Sequence, residues 1–184
     1  MTRIIYSAAI AIIAASAAPA LAGTLPDADA IEMTRPHEMI VSTAIDDEAL
    51  AAILAPVDAF YGFWANGSPV LLNRAIGADF IDHTLPDGRP QGPTGPAVAS
   101  AGFLEAVPDL KVTVVQRLVV GDRVVSHLRF SGHFTGRFDG MSGHGQPVDF
   151  IATDIVRVRD GRITDNWHLE DNLTFLRQID ALPG

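Results

Sequence analysis

The feature that most constrains this chain is a change of hydrophobic period near residue 110. Upstream, Leu50, Ile53, Leu54, Val57, Phe60, Tyr61 and Trp64 recur three and four apart, the stripe of an amphipathic helix. Downstream, "KVTVVQRLVVGD", "RVVSHLRFSGHFTG", "QPVDFIATDIVRVR" and "RITDNWHL" alternate or run apolar between Gly-Asp and Asp-Gly turns. Helices followed by a run of antiparallel strands predict an α+β domain whose curved sheet wraps its helices. Such a sheet leaves a cone-shaped hollow at its open end, a natural place for a ligand.

The boundaries follow from breakers and caps. The first helix is expected over 46–65, capped by Asp46 or Asp47, with Pro56 inside it and Asn66-Gly67 at its end. A short helix over 68–76 follows. "GADFIDHTLPDG" comes next, with Phe80 and Ile81 expected to point inward. A third helix spans roughly 95–106, and a short helical tail closes the chain after the last strand. Residues 23–45 show no sustained period and read as a partly disordered N-terminal arm, where His37 is exposed and inert. The glycine-rich stretch 136–145 reads as a flexible hairpin able to overhang a pocket mouth.

The first residues, "MTRIIYSAAIAIIAASAAPALAG", have a basic start at Arg3, a short apolar run and an Ala20-Leu21-Ala22 triplet. That is the pattern of a secretory signal peptide over 1–22, cut after Ala22, which predicts a periplasmic or secreted protein with no membrane contact after cleavage. The domain proper is then 46–184. The formal net charge is −9, and losing Arg3 makes it more acidic, which disfavours nucleic acid and anionic membranes as partners. The chain has no cysteine, which rules out disulfides and thiolate metal sites. His133 and His144 have no H-x-x-x-H or carboxylate cluster around them, so no metal site is expected.

Four residues draw attention as chemistry. Asp154 is a lone acid in "FIATDIVRV", on the face shared with Phe150, Ala152, Val156 and Val158, where an unpaired carboxylate is costly. His168 lies in "DNWHLED". A two-residue loop at Asp160-Gly161 would set Asp154 opposite Trp167 and send His168 to the other face. A three-residue loop with Gly161 in the left-handed bulge position gives an even register, which puts Asp154 and His168 on one face, and "RDG" favours that form. His83 sits where the helical part meets the sheet, and a surface or capping role is at least as good a reading for it. Asp171 follows His168 by three and could equally cap the tail helix.

"GADFIDHTLP", "VPDL", "GHFTGRFDG" and "DIVRVRDGRITDNWHLEDNLTFLRQID" resemble the SnoaL-like polyketide cyclases, or ester cyclases, of the NTF2-like superfamily. The resemblance covers about residues 46–180. It implies a cone of helices packed in a curved antiparallel sheet, and ring closure by intramolecular aldol condensation without metal or organic cofactor. It also implies a carboxylate acid/base helped by a histidine on the neighbouring strand. The family's acid/base aspartate falls on His168 and its assisting histidine on Asp154, so the pair stands exchanged. A polar pocket position falls on His83, and a following acid on Asp171. In "GHFTG", His133 and Phe134 stand in exchanged order relative to the commoner G-T-H-T-G.

The expectation is a cofactor-free cyclase, isomerase or lyase acting on a small hydrophobic carbonyl compound. His168 would take a proton, Asp154 would orient it, and His83 or Asp171 would bind the enolate oxygen, within walls that include Trp64, Phe60, Phe103 and Phe130. The alternatives are a non-catalytic carrier of a hydrophobic small molecule, and an interaction module. Relatives that pair through the outer sheet face imply a homodimer, with Ile151, Thr153, Ile155 and Arg157 in its interface.

Overall fold

The computed structural model describes residues 25–182. The signal-peptide expectation for 1–22 lies outside those residues. In chain order the elements are α1 (Asp27–Met33), β1 (Glu38–Val41), α2 (Asp47–Asn66), α3 (Pro69–Ala75), β2 (Ile76–Asp82), α4 (Thr94–Ala106), β3 (Lys111–Val120), β4 (Arg123–Phe134), β5 (Arg137–Phe138), β6 (Met141–Ser142), β7 (Gln146–Arg159), β8 (Arg162–Glu170) and α5 (Asn172–Gln178). Six strands form one sheet in the order β1-β3-β4-β7-β8-β2. The central four are antiparallel neighbours, while β1 joins β3 and β2 joins β8 in parallel.

The long helix α2 starts where Asp46 accepts the Ala49 amide at 2.8 Å, and it ends at Gly67 in the left-handed conformation. Its N-terminal half keeps one buried stripe. From Ala59 to Ala65 every residue is buried, because the sheet, α1 and α3 close around it. Phe60, Tyr61, Phe63 and Trp64 form an aromatic cluster with centroids 5.5–6.5 Å apart. A second cluster, Phe103, Phe150 and Phe175, ties α4 and α5 to β7. No helix among the described residues is long and apolar enough to cross a membrane.

Three expectations change. The segment expected to be a partly disordered arm carries α1 and β1. Ala30 is wholly buried, Ile31 closes on Gly62 of α2, and β1 pairs with the edge of β3. Neither element is long enough to display a period, so tertiary contact defines them. The stretch holding Phe80 and Ile81 is the strand β2, and alternation sends Phe80 inward and leaves Ile81 46% exposed on the outer face. The glycine-rich stretch contains the small hairpin β5–β6. It packs on the end of α4 and sets Phe138 edge-on to Phe175, away from the hollow.

Candidate active site

Alternation on three adjacent strands builds the hollow. Leu128 and Phe130 of β4, Phe150, Ala152 and Asp154 of β7, and Asn166, His168 and Glu170 of β8 all face inward. Phe60 and Trp64 of α2, Phe103 of α4, and Phe80 and Asp82 of β2 close it, and Arg89 reaches it from the β2–α4 loop. The space measures about 520 Å³ with its open mouth included, and little of it is free of side chains. The side chains therefore crowd the interior. Phe130 and Phe150 stack at 5.2 Å on the apolar side, and the acids gather on the side of β2 and β8.

Asp154 and His168 share one face, as an even register requires, and the structure sets them directly opposite each other. The device that achieves it differs from the expected one. The turn is a two-residue loop with Arg159 opposite Arg162, and both Asp160 (φ 49°) and Gly161 (φ 69°) are left-handed. The extra residue is Thr164, a bulge within β8 between Ile163 and Asp165. It returns His168 to the inner face and puts Trp167 outside, opposite Ile155.

The hydrogen-bond partner of His168 is Asp82, a residue the sequence reading passed over. His168 Nε2 lies 3.0 Å from Asp82 Oδ2, and its Nδ1 lies 3.5 Å from Glu170. The His168 amide donates to Thr84 Oγ1 at 2.8 Å, and the Thr84 amide donates to Asp82 Oδ1 at 2.9 Å, so backbone and side chain lock the pair together. Asp154 is held by no such ion pair among the described residues. Burial among apolar groups pushes its carboxyl up to about 7. His168 pulls the other way, and the charges of Glu170 and Asp82 add to the rise.

The structure separates the four expected polar residues. Asp154 and His168 share the hollow. His83 is on the outer face, stacked on Trp167 at 4.3 Å and 2.8 Å from Asp165. Alternation along β2 requires this, since its neighbour Asp82 points in. Asp171 is the cap of α5, accepting the Thr174 amide at 3.0 Å, and those Thr174 contacts hold its carboxyl below the usual range. Trp64, Phe60, Phe103 and Phe130 all line the hollow. Asp82, Glu170, Asn166 and Arg89 line it too and were missed. Glu170 and Asn166 were legible as the inward partners of His168 two residues away, while Arg89 lies in a loop with no period to read. Among the described residues no cluster of three or more His, Asp or Glu side chains is placed to hold a metal ion.

A conical α+β shell around an apolar hollow, with acids and a histidine on one wall, defines a protein of the NTF2-like fold. The chain belongs to the SnoaL-like polyketide cyclase family, whose profile matches residues 56–179. It is similar to a provisionally named polyketide cyclase of Bacillus cereus ATCC 10987, at 36% identity and a TM-score of 0.75, over 83% of this chain and 96% of that one. It is also similar to IdmH of Streptomyces antibioticus, likewise provisionally a polyketide cyclase, at 26% identity and a TM-score of 0.61, over 68% and 96% of the two chains. A provisionally named SnoaL-like cyclase of Jannaschia sp. CCS1, at 24% identity and a TM-score of 0.62 over 77% and 98%, shares the fold. A search of curated proteins found no match.

Proposed function

We propose that this protein is an acid/base enzyme that closes or isomerises a small hydrophobic carbonyl compound, without a cofactor. The observation that carries the reading is Asp154: a buried carboxyl poised near neutral pH, facing an apolar hollow beside a histidine. A group that titrates near the working pH is the most useful proton carrier there. As a carboxylate, Asp154 takes a proton from the carbon next to a carbonyl; the C–H electron pair forms a carbon–carbon double bond and the carbonyl π pair moves onto oxygen, giving an enolate. In a cyclisation the enolate carbon attacks a second carbonyl of the same molecule, and the new alkoxide takes up a proton.

The division of labour differs from the one the sequence implied. His168 is engaged by Asp82 and faces Glu170, so it serves as a held, polarising neighbour that favours the ionised form of Asp154. The Asn166 amide and the Arg89 guanidinium line the hollow and replace His83 and Asp171 as donors toward an enolate oxygen.

The test uses 2-acetylnaphthalene, an apolar ketone whose methyl hydrogens exchange slowly on their own. Incubated with the protein in heavy water at pH 7.5 (about the pH where Asp154 is largely ionised), it should gain deuterium, read by mass spectrometry. Asp154→Asn and His168→Ala should each lower the rate by about 10²–10⁴-fold while keeping a cooperative melt. Exchange no faster than buffer, or undiminished in Asp154→Asn, refutes the assignment. Retained binding with no exchange in any variant would favour the carrier, a reading supported by the stacked phenylalanines of the hollow. The leader-like residues 1–22 support a site of action in the periplasm or outside the cell. The outer sheet face supports a homodimer.

A further inference from the structure

Behind Asp154, away from the hollow, a row of polar side chains crosses the concave face of the sheet. Arg117 of β3 pairs with Ser126 of β4, Ser126 with Asp154 of β7, and Asp154 with His168 of β8. Tyr61 of α2 lies over this row, its ring 5.4 Å from the Arg117 guanidinium. Arg117, Ser126 and Tyr61 are fully buried, and none of them lines the hollow. Arg117 reaches Asp58 at 2.6 Å, while its Nε and Nη2, the Ser126 hydroxyl and the Tyr61 hydroxyl are buried without a hydrogen-bond partner. A buried polar atom left unpaired forfeits its hydration with nothing in return. A phenylalanine at 61 and an alanine at 126 would fill the same space more cheaply, so packing alone does not account for these hydroxyls.

We propose that Tyr61 is a positioning residue: its buried hydroxyl, over the row that runs from Arg117 through Ser126 to Asp154, donates to the Asp154 carboxylate and holds it facing the hollow. The inference rests on reading Asp154 as the acid/base group. A donor aimed at the ionised form favours ionisation, and Tyr61 acts on Asp154 in that direction. Asp154 in return raises the Tyr61 phenol well above its ordinary value, after burial as the larger cause, so Tyr61 keeps its proton and remains a donor. The charged and titratable groups around Asp154 are Tyr61 from α2, Arg117 from β3 with its partner Asp58, His168 and Glu170 from β8, Asp82 from β2, and Arg89 from the β2–α4 loop.

The experiment titrates Asp154 itself. Carbon-13 NMR of protein labelled at the aspartate carboxyls, with Asp154→Asn fixing the assignment, gives the midpoint in the full chain. Tyr61→Phe removes one oxygen and keeps the ring over Arg117. It should weaken Asp154 as an acid by about tenfold, and Ser126→Ala by less but in the same sense. A midpoint unmoved in both variants, with cooperative melts retained, overturns the proposal. If Tyr61→Phe does not fold, an unmoved midpoint in Ser126→Ala overturns it alone. Ketone exchange is a separate readout. A shifted midpoint with no exchange anywhere keeps the positioning role and sinks the enzyme, and exchange lost in Asp154→Asn with the midpoint unmoved by Tyr61 does the reverse.

Discussion

Asp154 ties stability to pH in the sense opposite to a salt-bridged acid. In the folded chain it keeps its proton up to about pH 7, whereas in the unfolded chain it loses it near 3.8. Between those values the folded state binds more protons, so stability falls as pH rises through that window and levels off above it. At ~1.4 kcal/mol per pH unit the cost reaches up to ~4 kcal/mol. Asp154→Asn carries no charge, so it should be the more stable protein at pH 8 and differ little from the parent near pH 4, as urea melts at both pH values would show. Asp171→Ala makes the opposite contrast. It removes a helix cap, so it should lower the melting temperature slightly and leave ketone exchange unchanged. Asp154 was legible because one acid interrupts an apolar face. Asp82 was not, because "IGADFID" is too short and too polar to announce its alternation, and Asp82 gains its meaning only from a strand 86 residues away.

At the scale of elements, the long periodic pieces were readable and the short or irregular ones were not. The helices α2, α3 and α4 and the strands β3, β4, β7 and β8 fall where period and breakers place them. The bulge at Thr164 leaves no such mark. The "RDG" turn pointed to the even register through a three-residue loop, whereas the bulge is what produces it, so the register was reachable and its cause was not. The β5–β6 hairpin carries a sharper constraint. A Cβ at Gly136 would come within 1.7 Å of the Glu105 carbonyl oxygen, so Gly136→Ala must push the hairpin off α4. It should cost about 3 kcal/mol or more. At Gly102, exposed within α4, an added methyl meets nothing within 4 Å, and Gly102→Ala should stabilise by about 1 kcal/mol. Thermal melts of the two variants beside the parent would separate steric contact from helix propensity.

At the scale of the whole molecule, the sheet has two unlike faces. The concave face is filled, while the convex face leaves Ile151, Ile155 and Leu169 exposed, the last by 79%. His83 and Arg157 gather around Trp167 on the same side. A second copy of the chain laid across this face would cover those side chains, so light scattering behind a sizing column should report a dimer at micromolar concentration. The double variant Ile155→Lys, Leu169→Lys should run as a folded monomer, and a monomeric parent would refute the arrangement. Asp82 and His168 meet only because the edge strand β2 docks in parallel on β8, a pairing between distant parts of the chain that closes a long loop. Such pairings form slowly, so the wall that carries Asp82 and His168 should be assembled after the bulk of the sheet. A preparation can then show full secondary structure and a sound aromatic interior while part of it is still inert. Competent fraction is better counted by the His168–Asp82 contact than by circular dichroism.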